Sequence, residues 1–221
     1  MKKDLQILRE QNRQKTNKMY IIQATEEVIR RKGFGAMTMD DIAEESQFSK
    51  ATLYKYFNSK SGLILEIVKF YINGLNNQIK KIRASKITTK DKLKSAIRKV
   101  VRFHNEKQNI SRVFIMDKSF LKKIKIFIQN DQKVSSFNDK KLIKEIKAQR
   151  KEIICEISEI LSEGIEEGIF CEMDISEAIT FLESALQGFC YGKYWRRKKH
   201  STEDETNLIY NYFLHGIEKK R

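Results

Sequence analysis

The 221-residue chain has no proline and only nine glycines. Proline inside a helix removes a hydrogen-bond donor and clashes with the preceding turn, at a cost of about 3 kcal/mol. The strongest helix breaker is therefore missing from the whole length. Lys, Glu, Ile, Leu and Ala fill long stretches, and together these features predict an all-α protein. Cysteine is scarce: Cys155, Cys171 and Cys190 are odd in number and widely spaced, unlike a disulfide framework or a zinc knuckle. A reducing cytoplasmic location fits them. The three histidines, His104, His200 and His215, are scattered, with no HExxH or CxxC spacing and no nucleophile-base cluster. The expectation is a protein that is not an enzyme and holds no metal and no cofactor. No apolar run approaches the ~20 residues that a membrane span needs, and the first residues are polar and charged, unlike a signal peptide. No membrane partner is expected.

What the chain does have is a core and an excess of positive charge. Hydrophobic residues make up 40% of it, and its formal net charge is +15. Such a charge permits a polyanionic partner. Its distribution says less: residues 1–62 carry 12 Lys/Arg and 8 Asp/Glu, and the remainder carries 32 and 21. The two parts are about equally basic per residue, so charge alone singles out no binding face.

Residues 1–16 read as a basic arm, frayed or weakly helical. From Asn17 onward, Ile21, Ile22, Ala24, Thr25, Val28 and Ile29 recur at helical spacing, and Gly33 after Arg30-Arg31-Lys32 is a stop signal. Thr38 with Asp41 forms a capping-box pattern opening a helix from Met39 to about Ser46. Ser49 caps another short one over Lys50 to Tyr56. Asn58 or Ser59 then opens a helix reaching toward Arg83. Thr88 with Asp91 starts the next, and further helices are expected over roughly Ser111 to Ile128 and Lys140 to Glu167, the latter ended by Gly168. Residues 129–139 read as irregular. Asp174 with Glu177 opens a helix to about Trp195, and Thr202 opens the last, ending near Glu218.

The segment Thr38 to Lys60 packs helix, tight turn, helix and the start of a third into about two dozen residues. Isolated helices this short are marginal in water, so Ile42, Ala43, Phe48, Leu53 and Phe57 must hold them by packing. The outer face of the second helix then projects Ser49, Lys50, Thr52, Lys55 and Tyr56. A helix of that width enters the major groove, where hydroxyls and Lys can read base edges.

The string Thr38-Met39-Asp40-Asp41-Ile42-Ala43, then Ser49-Lys50-Ala51-Thr52-Leu53-Tyr54-Lys55-Tyr56-Phe57 and Lys60, resembles the N-terminal domain of tetracycline-repressor-type (TetR-type) regulators, over about residues 17 to 66. The resemblance implies a three-helix helix-turn-helix DNA-binding domain (17–62) followed by a larger helical domain (63–221) for ligand binding and dimerisation. It places Thr38, Tyr54, Tyr56 and Lys60 on phosphates, and Lys50, Ala51, Thr52 and Lys55 on bases or adjacent phosphates. The family commonly has glycine in the turn where this chain has Gln47. A non-glycine residue at positive φ costs roughly 1 kcal/mol.

The functional expectation is a ligand-responsive transcriptional regulator, a repressor that binds a palindromic operator as a homodimer and is released by a small molecule of unknown identity. The alternative is the same kind of regulator controlled by a protein partner or by cysteine oxidation. Phe103, Phe114, Met116, Phe120, Phe127 and Phe137 form an aromatic-rich set that either fills the core or lines an effector pocket. The apolar faces of the last two helices, with Ile175, Ile179, Leu182, Leu186, Phe189, Leu208, Ile209, Tyr212 and Phe213, are expected at the dimer interface, as the resemblance implies. Trp195 to His200 reads as a solvated basic loop.

Overall fold

A computed structural model of the chain describes residues 2–106, 137–192 and 200–217. Among the described residues it has eight helices: α1 (Lys2–Ala36), α2 (Met39–Ser46), α3 (Lys50–Tyr56), α4 (Lys60–Arg83), α5 (Thr89–Glu106), α6 (Phe137–Glu166), α7 (Ile175–Gly192) and α8 (Thr202–Ile217). No strand occurs among the described residues. No described helix is long and apolar enough to cross a membrane.

The helix ends follow local side-chain chemistry. Thr38 Oγ1 accepts from the Asp41 N–H (3.2 Å) while Asp41 Oδ2 accepts from the Thr38 N–H (2.9 Å), a complete capping box that satisfies two of the orphan donors of a helix start. Ser49 caps α3 through the Thr52 N–H (3.1 Å), Ser59 caps α4 through the Gly62 N–H (2.9 Å), and Asp174 caps α7 through the Glu177 N–H (3.0 Å). Ser201 with Asp204 is the box that caps α8, which begins at the expected Thr202.

Two boundaries differ from expectation. The segment read as an arm over residues 1–16 is helical and continuous with the rest of α1, because it contains no breaker and Lys, Arg, Gln, Glu and Leu are strong helix formers. Helical geometry is interrupted at Gly33, where φ is 79°, the position of the expected stop. α6 begins at Phe137, three residues before the expected Lys140. The helix expected over Ser111 to Ile128 lies outside the described residues.

The described residues form two compact units: residues 2–68 with 137–143, and residues 69–106 with 144–192 and 200–217. In the first, Ile21, Val28, Met37, Ile42, Leu53, Phe57 and Leu63 are each buried. In the second, a cluster built on Ile72, Ile79, Leu93, Ile97, Val101, Ile160, Leu161, Phe170, Leu182 and Phe213 forms the core. A row of polar links also fixes α6 within that unit. Lys69 meets Glu145 (2.5 Å), Lys80 meets Glu152 (2.7 Å), Arg83 meets Glu156 and Lys92 meets Glu163 (2.6 Å). Buried Asn76 donates to both Gln149 (2.7 Å) and Glu152 (2.8 Å).

Candidate nucleic-acid interface

α3 is seven residues long and keeps a single residue, Leu53, fully buried. Anchored there and capped by Ser49, it leaves Lys50, Ala51, Tyr54 and Lys55 exposed, with Thr52 and Tyr56 half-buried. Of the expected outer-face residues, Lys50 and Lys55 are thus open, while Thr52 and Tyr56 are partly covered. The turn before α3 is set by Gln47 at φ 57°, ψ 23°, whose N–H bonds to the Glu44 carbonyl (3.2 Å). It is the one non-glycine residue at positive φ among the described residues.

Each expected contact residue has a structural setting of its own. Lys50 Nζ lies 2.7 Å and 3.0 Å from the two carboxylate oxygens of Asp40. The Thr52 and Ser49 hydroxyls are 2.8 Å apart. The Tyr56 hydroxyl accepts from Asn17 Nδ2 at 2.9 Å, tying α3 to α1. Lys60 Nζ donates to the Met37 carbonyl, which joins the start of α4 to the chain just before α2. Tyr54 extends outward at 44% exposure. Behind this face, Lys32 meets Asp41 at 2.6 Å. That hydrogen bond, followed by those from the Thr38 backbone and side chain, holds the Asp41 carboxyl down at about 2.

Sequence reasoning missed three partners: Asn17 for Tyr56, the Met37 carbonyl for Lys60 and Asp40 for Lys50. The first two join positions 39 and 23 residues apart and leave no local signal. The third is a carboxylate at the start of α2, ten residues before Lys50, and only the angle between α2 and α3 brings the two together.

Residues 21–67 match the family profile described as "Bacterial regulatory proteins, tetR family". They form a TetR-type helix-turn-helix domain. Curated relatives match the chain over short segments. An uncharacterised HTH-type transcriptional regulator of Bacillus subtilis, YfiR, is 37% identical over 65 residues, which are 29% of this chain and 30% of that protein. The chain thus matches less than a third of that relative's length. Among solved structures, FadR from Bacillus subtilis in complex with stearoyl-CoA superposes with a TM-score of 0.68, covering 90% of this chain and 99% of that one at 21% identity. A TetR/AcrR-family regulator from Thermobifida fusca superposes with a TM-score of 0.69, covering 92% and 98% at 19% identity. At these identities the likeness establishes the fold outside the TetR-type domain.

The second unit contains a cavity of about 100 Å³, walled by aliphatic residues of α4, α5, α6 and α7 such as Ile72, Val100, Ile153, Ile157 and Leu182. Phe103, His104, Arg150, Glu183 and Gln187 complete it, and Arg150 is ion-paired with Glu183 at 3.1 Å. Of the six expected pocket residues, Phe103 is in this wall. Phe114, Met116, Phe120 and Phe127 lie outside the described residues, as does the Phe137 side chain. Of the nine residues expected at a dimer interface, Ile179, Leu182, Leu186, Ile209 and Phe213 are buried within a single chain, and Ile175, Phe189 and Leu208 are half-buried. Tyr212 is 78% exposed and Phe181, beside Phe213, is 63% exposed. Cys155 is exposed and Cys171 half-buried.

Proposed function

We propose that this protein is a transcriptional regulator that binds double-stranded DNA through α3 and changes its DNA affinity when a small molecule occupies the cavity of the second unit. The observation that carries the reading is the recognition helix itself: seven residues, capped at Ser49 and anchored by Leu53, with Lys50, Ala51, Tyr54 and Lys55 on the open face. A helix presented this way fits the major groove, with side chains reaching base edges and phosphates. The match of residues 21–67 to the TetR family supports the same reading. One such helix covers too few base pairs for a specific site, so a two-fold dimer reading two half-sites about 34 Å apart, or a multiple of that, completes it.

The cavity favours a mostly apolar effector carrying one polar group. Its walls are aliphatic, and Arg150, Glu183, His104 and Gln187 supply the polar contacts. The FadR neighbour is in complex with stearoyl-CoA, which joins a long apolar chain to a large, charged coenzyme A group, so only its acyl part is of that kind. α4 is the natural reporter, since Ile72 and Leu75 line the cavity and its first residue, Lys60, sits at an expected phosphate contact. An effector can shift DNA affinity only by binding the two arrangements unequally. Repression released by the effector is the proposed sense of the response.

A fluorescence-anisotropy titration on DNA from upstream of the protein's own coding sequence tests the core of the reading. Tyr54→Ala and Lys55→Ala should both weaken binding, and removing each phosphate-neutralising charge should lower the salt slope by about 0.9. Binding that is unchanged in both variants would sink the assignment of α3 as the reading helix.

A further inference from the structure

The charge of the first unit is not carried by its helix-turn-helix. Residues 19–62 hold six Lys/Arg and six Asp/Glu, a net charge of zero, whereas residues 1–18 hold six Lys/Arg and two Asp/Glu. Within the motif most cations are also matched locally. Lys50 pairs with Asp40, Lys32 with Asp41, Arg31 with Glu45 (3.0 Å) and Arg30 with Glu27. A DNA duplex carries one negative charge per ~1.7 Å of its axis, and neutralising those phosphates supplies most of the sequence-independent affinity. The TetR-type motif of this chain is poorly equipped for that part of the task.

The N-terminal part of α1 is equipped for it. Residues 4–16 are helical and exposed, outside either core. At 1.5 Å per residue the stretch from Lys2 to Asn17 is roughly 22 Å long, enough to run beside about six phosphates of one strand at 3.4 Å each. One end of it is fixed at the recognition helix by the Asn17–Tyr56 hydrogen bond. Arg13, one turn earlier on the same face, is half of a surface pair with Glu10 (2.8 Å), and Glu10 and Asp4 are the two acidic residues among residues 1–18. From the charge split, this exposure and this anchor, we infer that the helical extension Lys2–Lys18 is a second DNA-binding element. It grips the phosphate backbone beside the groove that α3 enters and supplies the electrostatic affinity that the neutral motif lacks. The inference rests on the proposed DNA-binding function.

The test compares the full-length protein with the variant Lys2→Gln, Lys3→Gln, Arg9→Gln, Arg13→Gln. Glutamine keeps helix propensity, and residues 4–16 are outside the core, so circular dichroism and unfolding should match wild type. The probe is mixed-sequence duplex DNA, read by anisotropy across a salt series, with light scattering on the same samples. The expected result is at least about tenfold weaker binding at low salt, with a log Kobs against log salt slope reduced by up to about 0.9 for each phosphate that the extension no longer neutralises. The same weakening should appear on the upstream DNA fragment, leaving the preference for it over mixed sequence unchanged, because phosphate contacts carry no sequence information. Wild-type affinity and slope in the variant overturn the inference while leaving the function standing. A changed oligomeric state at unchanged DNA affinity also overturns it, and makes the exposed Leu5, Ile7 and Leu8 a contact between copies. No binding of wild type to either DNA would defeat the function and the inference together.

Discussion

Gln47 is the one non-glycine residue at positive φ among the described residues. At φ 57° it is left-handed, which costs a non-glycine residue roughly 1–2 kcal/mol through its Cβ. Gln47→Gly should raise the unfolding free energy by about 1 kcal/mol in urea, and an unchanged midpoint would mean the Gln47 side chain compensates locally. Asp41 is the other residue whose setting makes a numerical claim. Lys32 and then Thr38 hold its carboxyl at about 2, below the ordinary 3.8. A carboxyl lowered by folding contributes stability that is complete above its unfolded value and disappears as pH falls through its folded value. Asp41→Asn should therefore be less stable than wild type near neutral pH, with the gap closing between about pH 4 and pH 2. A gap that stays constant to pH 2 would show that the carboxylate is not the stabilising form. Both residues were legible in the sequence, since a capping box and a glycine-poor turn are local patterns. The Asp40–Lys50 pair was not, because nothing in the spacing sets the angle between two short helices.

At the scale of the elements, helix ends were legible wherever a cap residue marked them, as at Thr38, Ser49, Thr88 and Asp174. They were less so where only the absence of breakers decides, as at the start of α1. The turn after α6 shows what a sequence pattern cannot convey. Glu167-Gly168-Ile169-Phe170 reads as a helix stop, and Gly168 does take φ 68°. The tighter constraint lies four residues earlier. A Cβ built on Gly164 would run into the ring of Phe170, which is 1% exposed and belongs to the core of the second unit. The Phe170 N–H bonds to the Gly164 carbonyl at 2.9 Å, so the ring is folded back onto the helix that it follows. On helix propensity alone Gly164→Ala would stabilise. Packing reverses the sign: overfilling a tight core costs typically 1–3 kcal/mol. Gly164→Ala should thus lower the melting temperature, and Gly164→Ala with Phe170→Leu should recover part of the loss. A stabilised single variant would place the Phe170 ring elsewhere.

At the scale of the whole molecule, the sequence was most informative about which faces are apolar and least about which other face each one meets. The periodicity of α7 and α8 names Ile179, Leu182, Leu186, Ile209 and Phe213, yet all five are buried within one chain, and Ile179, Leu182 and Leu186 also line the cavity. Burial inside the protomer takes precedence because these residues close the core of the second unit. A dimer formed through these helices must therefore use what remains outside. Phe181 and Tyr212 are 63% and 78% exposed, among the largest apolar side chains open to solvent in the second unit. Replacing a core position would unfold the unit and abolish the dimer for an uninformative reason. Phe181→Glu and Tyr212→Glu instead alter surface positions, so each should leave thermal unfolding of the monomer within about 0.5 kcal/mol of a neutral surface change. In a self-complementary interface a substitution appears twice across the two-fold axis, and a glutamate there buries an unpaired charge on both sides. Sedimentation velocity should show the double variant as a monomer, and its DNA binding should fall to the weak level of a single half-site. A double variant that remains dimeric would move the interface off α7 and α8 altogether.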